Sequence, residues 1–166
     1  MFMFQDSVSS GGAHAPAASP ATRRPAAASP AARAEQPDGA PASRRVLVVE
    51  DNPDGLETLV ALLSMLGHVV EGAADGREAV ERAAGFQPDV VLLDLGLPVM
   101  DGFDVARQLR RDPRMAGVFI AALTGWGSEA DRQRTAEAGF DAHLTKPVEL
   151  AALETVLSRT RCRSPG

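Results

Sequence analysis

The chain is poor in lysine: of its 17 basic residues only Lys146 is one, and the rest are arginine. Cysteine is as scarce. Cys162 stands alone, which excludes an internal disulfide and fits a reducing, cytoplasmic setting. No apolar run approaches the roughly 18 residues of a membrane-spanning helix, so no membrane association is expected. The opening "MFMF" is too short for the apolar core of a signal peptide, and no basic residue precedes it. Positive charge is not in surplus either. The formal net charge is −5, which argues against direct nucleic-acid binding, because that requires a basic patch. His14, His68 and Cys162 are scattered without ligand spacing, which gives no transition-metal site.

Large apolar residues are missing altogether between Val8 and Val46. Residues 1–43 are mostly Ala, Pro, Ser and Gly, and such a segment cannot bury enough surface to offset its ordering entropy. We read it as a disordered tail. Its three acids (Asp6, Glu35, Asp38) balance its three arginines (Arg23, Arg24, Arg33), so the whole −5 falls on the remainder. Residues 44–160 suit one compact domain, and 161–166 form a short C-terminal tail.

Within 44–160, apolar runs alternate with helical patterns. "RRVLVVE" reads as a buried strand. Asn52 then caps a helix with Pro53 at its first position, Leu56, Leu59, Val60, Leu63 and Leu66 on one stripe, and Gly67 after its end. "HVVEGA" is a second strand. Asp75 and Glu78 form a capping box for a helix that Gly85 is expected to close. "PDVVLLD" is the most apolar strand, and Asp101 caps a third helix carrying Phe103, Ala106 and Leu109. "VFIAALT" is strand four. Ser128 caps a fourth helix that Gly139 ends, "FDAHLT" is strand five, and a last helix starts near Pro147 with Leu150, Leu153 and Leu157 inward. Apolar strands without polar alternation, separated by amphipathic helices, indicate a parallel sheet covered on both faces.

Ligands of such folds bind beyond the carboxyl ends of the strands. There the chain places Glu50 and Asp51 after strand one, Asp94 at strand three, Thr124 at strand four and Lys146 at strand five. The first turn, "EDNPDG", is no glycine-rich phosphate loop, so a dinucleotide site is not expected. Clustered hard oxygen donors suit Mg²⁺. An acid at a strand end is often only a solvated helix cap. Asp94 is different, because it follows four apolar residues, where a lone carboxylate is costly.

"VLVVEDN", "PDVVLLDLGLPVMDG", "ALTGWG" and "AHLTKPV" together resemble the signature segments of response-regulator receiver domains of two-component signalling, over about residues 44–160. The resemblance implies a flavodoxin-like, doubly wound (βα)5 fold with strand order 2-1-3-4-5. It implies that Asp94 accepts a phosphoryl group from a phosphohistidine and holds it as an acyl phosphate. Mg²⁺ would be bound by Asp51, Asp94 and the Gly96 carbonyl, with Glu50 acting partly through water. Lys146 would neutralise charge on the transferring group. Thr124 would turn in to bond the phosphoryl oxygen, with the Gly125 backbone beside it. His143 stands where the family commonly has a switching aromatic. Trp126 and Gly96 occupy positions that tune phosphoryl lifetime, and the Lys146–Pro147 bond is expected to be cis.

The implied partners are a sensor or hybrid histidine kinase, or a histidine phosphotransfer protein, on one side and a downstream protein target on the other. The family signals through the fourth helix, fifth strand and fifth helix. The fourth, "SEADRQRTAEA", has only alanines to bury and should be weakly held. Little chain follows Lys146, so a stand-alone receiver without an output domain is expected, similar to those of hybrid kinases. Two other classes compete. A Mg²⁺-dependent phosphohydrolase with an aspartyl-phosphate intermediate would want a second acid two residues past the nucleophile, where Gly96 stands. An unphosphorylated pseudo-receiver would have lost an acid or the lysine, and all are present.

Overall fold

The structure is a computed structural model and describes residues 42–125 and 129–160. Residues 1–41, Trp126, Ser128, Cys162 and the segment 161–166 lie outside the described residues. The readings made for them (a tail, a lifetime-tuning indole, a helix cap) are therefore not addressed by it.

Strands and helices alternate as Arg45–Val49 (β1), Pro53–Met65 (α1), Val69–Ala73 (β2), Gly76–Phe86 (α2), Val90–Asp94 (β3), Gly102–Arg111 (α3), Phe119–Thr124 (β4), Glu129–Ala138 (α4), Ala142–Thr145 (β5) and Leu150–Arg159 (α5). The five strands are parallel and lie in the order β2-β1-β3-β4-β5, the expected doubly wound arrangement. Register is continuous through the centre, with Val48 beside Leu92 and Leu92 beside Ala121. The period-two alternation of strand side chains splits the core into two layers. Leu47, Val49, Val91, Leu93 and Ile120 meet Ala79 and Ala83 of α2 and Val105 and Leu109 of α3. Val46, Val48, Leu92 and Leu123 meet Leu59 and Leu63 of α1 and Leu153, Val156 and Leu157 of α5. β3 is buried along its whole length, which explains its unbroken apolar run.

Helix starts follow the caps read from the sequence. The Asn52 side chain accepts from the backbone N–H groups of Asp54 and Gly55, and Asp101 accepts from that of Asp104. At α2, Asp75 accepts from Glu78 N–H at 2.8 Å, while the Glu78 carboxylate reaches back to Ala74 N–H, one residue earlier than a standard capping box.

Three details differ from expectation. Gly85 does not close α2. The helix runs on to Phe86, whose ring is buried, and Gln87 takes the left-handed cap at φ 49°. The last helix begins at Leu150 rather than near Pro147, and Leu150 is 45% exposed. Leu153 and Leu157 face the core as expected, with Val156 beside them, whereas Leu150, the first residue of the helix, lies at its exposed end. A short 3-10 turn, Pro113–Met115, precedes β4 and buries Met115.

Candidate functional site

The carboxyl edge of the sheet gathers the chemistry. β1 delivers Glu50 and Asp51, β3 ends in Asp94, β4 in Thr124 and β5 leads into Lys146. Glu50, Asp94 and Thr124 are buried, whereas Asp51 is exposed. The Lys146 ammonium donates to Glu50 Oε2 at 2.5 Å and to Asp94 Oδ2 at 2.6 Å. Asp94 Oδ1 accepts from Gly96 N–H at 2.8 Å, so both of its carboxylate oxygens are engaged. Lys146 N–H donates to the Thr124 carbonyl at 2.7 Å, which ties the start of the Lys146 loop to the end of β4. The Lys146–Pro147 bond is cis.

Burial opposes charge on Lys146. Hydrogen bonds from it to Asp94 and Glu50, and their negative charges, outweigh that, so its pKa stands above the ordinary lysine value. Burial, with the Asp94 charge beside it, raises Glu50 above the usual carboxylate range, although its hydrogen bond with Lys146 works the other way. The acids are held together by the lysine they surround.

Glu50, Asp51 and Asp94 each offer a carboxylate oxygen within 4.8 Å of the others. Three hard oxygen donors at one water-accessible edge fit Mg²⁺, which takes few carboxylates and keeps water ligands. Asp94, Gly96, Thr124, Gly125 and Lys146 line one cleft of about 490 Å³. Among the described residues, nothing lies within 4 Å of a Cβ built at Gly125. His143 lies apart from that cleft, half-buried on β5, with Nδ1 at 3.4 Å from Thr135 Oγ1 of α4. The cleft wall also includes Phe103 and Asp131. Asp131 carries no distinguishing signal in the sequence, because an acid in the first turn of a helix reads as a dipole partner. Phe103 is packed edge-on against Phe140 at 6.0 Å, with the Arg134 guanidinium 4.9 Å over its ring. Clefts of about 340 Å³ beside His68 and about 560 Å³ beside Arg110 and Arg159 open at the opposite edge of the sheet, away from the acids.

A five-stranded, doubly wound parallel sheet with three acids and one lysine at its carboxyl edge is the arrangement of an α/β receiver domain. The chain belongs to the response regulator receiver domain family, whose model matches residues 46–158. It is 39% identical over 118 residues to the DNA-binding dual master transcriptional regulator RpaA of Synechocystis sp., covering 70% of this chain and 47% of that protein. The chain thus spans about half the length of that relative. The receiver domain of sensor histidine kinase PA1611 from Pseudomonas aeruginosa, solved with a magnesium ion coordinated in its active-site cleft, is 37% identical with a TM-score of 0.65, covering 71% of this chain and 97% of that one. A chain in the complex of the Saccharomyces cerevisiae histidine phosphotransfer protein Ypd1 with the receiver domain of its downstream response regulator Ssk1 is 31% identical with a TM-score of 0.64, covering 70% and 87%. Among the described residues no helix is long and apolar enough to cross a membrane.

Proposed function

We propose that Asp94 accepts a phosphoryl group from the phosphohistidine of a kinase or phosphotransfer protein, and that the resulting acyl phosphate changes the surface formed by α4, β5 and α5. The observation that carries this reading is the Lys146 ammonium held between Glu50 and Asp94 within 2.6 Å of each, beside a third carboxylate. In the transfer, a carboxylate oxygen of Asp94 forms the new O–P bond. The P–N bond breaks, and its electron pair returns to the imidazole. Lys146 leaves its carboxylate contacts for a phosphoryl oxygen and offsets the charge arriving there. Glu50, Asp51, Asp94 and the Gly96 carbonyl would hold Mg²⁺, which when bound supplies further neutralisation of the phosphoryl oxygens. The magnesium-bearing PA1611 receiver supports that assignment.

Thr124 stands at the cleft with its hydroxyl able to follow the phosphoryl group, and the Gly125 backbone lies beside it. Thr135 already donates its hydroxyl proton to the Arg132 carbonyl at 2.8 Å, which leaves its oxygen to accept from the His143 ring. Movement of β5 thereby reaches α4. A shift in a pre-existing equilibrium needs only that the phosphorylated form favour one arrangement. The receiver occupies residues 44–160, and its partners are a histidine kinase or phosphotransfer protein and a downstream protein. The Ypd1–Ssk1 pairing supports the first of these.

Labelling of the full chain with acetyl phosphate and Mg²⁺ tests the proposal. Stoichiometric labelling that Asp94→Ala abolishes is the expected result. Equal labelling of Asp94→Ala would remove the acceptor assignment. Repeated turnover on small phosphomonoesters would favour a phosphohydrolase instead, and no labelling at all a pseudo-receiver.

A further inference from the structure

Val99, in the loop between β3 and α3, is the one β-branched residue among the described residues with a positive φ. Its backbone φ is +69°, in the left-handed region that β-branched residues avoid. The Met100 N–H donates to the Pro98 carbonyl at 2.7 Å across it. That bond closes a three-residue turn of the rare, strained positive-φ kind. Strain of this sort persists in a fold when packing compensates it, yet Val99 is 103% exposed. Its neighbours take the inward places. Leu97 is buried, and Met100 packs against the core layer of α2 and α3. The turn therefore aims an isopropyl group into solvent, with no return inside the molecule.

The location says what covers it. Val99 lies five residues past Asp94, in the loop that leaves the carboxyl end of the phosphoacceptor strand. Leu150, 45% exposed, starts α5 beyond the Lys146 loop at the same edge. Of the other exposed large hydrophobics among the described residues, Met65 and Val69 stand instead near the turn from α1 to β2. Any macromolecule whose histidine reaches Asp94 must lie over the loops of this edge. A small donor need not touch them.

We infer that Val99 is an apolar anchor for the protein phosphodonor, displayed by the strained turn so that it enters an apolar depression on the donor beside the phosphohistidine. This rests on the phosphoacceptor reading above and names a contact that selects the donor. Strained backbone clusters at functional sites, and a few residues at the centre of an interface carry most of its binding energy. Asn keeps the left-handed turn at lower strain but presents an amide in place of the isopropyl group.

The test compares the full chain with Val99→Asn and Val99→Gly, and with Val69→Thr as an exposed apolar control. Each is labelled by acetyl phosphate and by the autophosphorylated histidine kinases of the source organism, with the fastest donor for the unaltered chain used for rates. The expected result is that both Val99 variants take phosphate from that kinase roughly tenfold more slowly. Their acetyl phosphate labelling and the behaviour of Val69→Thr stay within about twofold of the unaltered chain. Kinase transfer to Val99→Asn within the same twofold band, or no kinase transferring to a chain that acetyl phosphate labels, overturns the inference and leaves the phosphoacceptor reading standing. Failure of acetyl phosphate to label the unaltered chain overturns both.

Discussion

Lys146 is the single lysine, and its ammonium is a compact point charge that fits between Glu50 and Asp94. A guanidinium is planar, wider and seeks a bidentate partner. Lys146→Arg is expected still to take label from acetyl phosphate at Asp94. It should lose the phosphorylation-dependent change in amide exchange of α4, as hydrogen-exchange mass spectrometry would read. Gly102 shows a different constraint at the same edge. A Cβ there would stand 2.4 Å from the Asp94 carbonyl oxygen and 3.0 Å from Leu95 Cα, both backbone atoms. Gly102→Ala must therefore displace α3 from the end of β3, at a cost of roughly 1–3 kcal/mol in urea unfolding. Val99→Asn should move stability the other way by about 1 kcal/mol, through relief of left-handed strain.

Among the helices, α4 is held least. Its inward residues among those described are Thr135 and Ala138, whereas α3 buries Val105, Ala106 and Leu109. Burial of a Leu or Val side chain contributes about 1.5–3 kcal/mol, and α4 has none to bury. Its amides should exchange before those of α1, α3 and α5 in the unphosphorylated chain; equal protection would contradict the assignment of α4 as the moving element. What steadies its far end is Arg110 of α3. The guanidinium donates to the Gly139 carbonyl at 2.9 Å, the Val118 carbonyl at 2.7 Å and the Asp141 carboxylate. Asp141 also accepts from Ile120 N–H at 2.8 Å. One side chain thus joins α3 to the loops flanking β4 and β5. Arg110→Met keeps much of the stem and strands these acceptors, so a loss of roughly 1–3 kcal/mol is expected by urea unfolding.

For the whole molecule, His68 gives stability a pH dependence. Its Nδ1 accepts the Arg44 N–H at 3.2 Å where β1 begins. Burial, with the nearby Arg44 charge, holds its pKa below the ordinary 6.5. The folded state therefore prefers the neutral ring, and the unfolded state binds more protons just below that value. The contribution is complete above 6.5 and fades as pH falls through the lower folded value. Unfolding midpoints measured from about pH 8 down to about pH 5 should decline for the unaltered chain and decline less for His68→Asn. An identical slope in both would show that His68 is not the titrating group.

The alternation of apolar strands with amphipathic helices, the caps at Asn52, Asp75 and Asp101, and the acids and lysine at the strand ends were all legible in the one-dimensional pattern. These depend on local propensity and on the period of burial, which the chain carries residue by residue. Helix ends near Gly85 and Pro147 were not, because Phe86 and Leu153 decide them by where they meet the core. Asp131 and Phe103 on the cleft wall were also out of reach, since neighbours in sequence do not reveal which loop faces which. The fold class and the acidic edge thus follow from local pattern. That Lys146 bridges Glu50 and Asp94 across strands β1, β3 and β5, that His143 faces α4 rather than the cleft, and that Val99 points outward from a strained turn emerge on folding. The first two are meetings between residues separated in the chain, which packing sets, and the third follows from Leu97 and Met100 taking the inward places on either side of Val99.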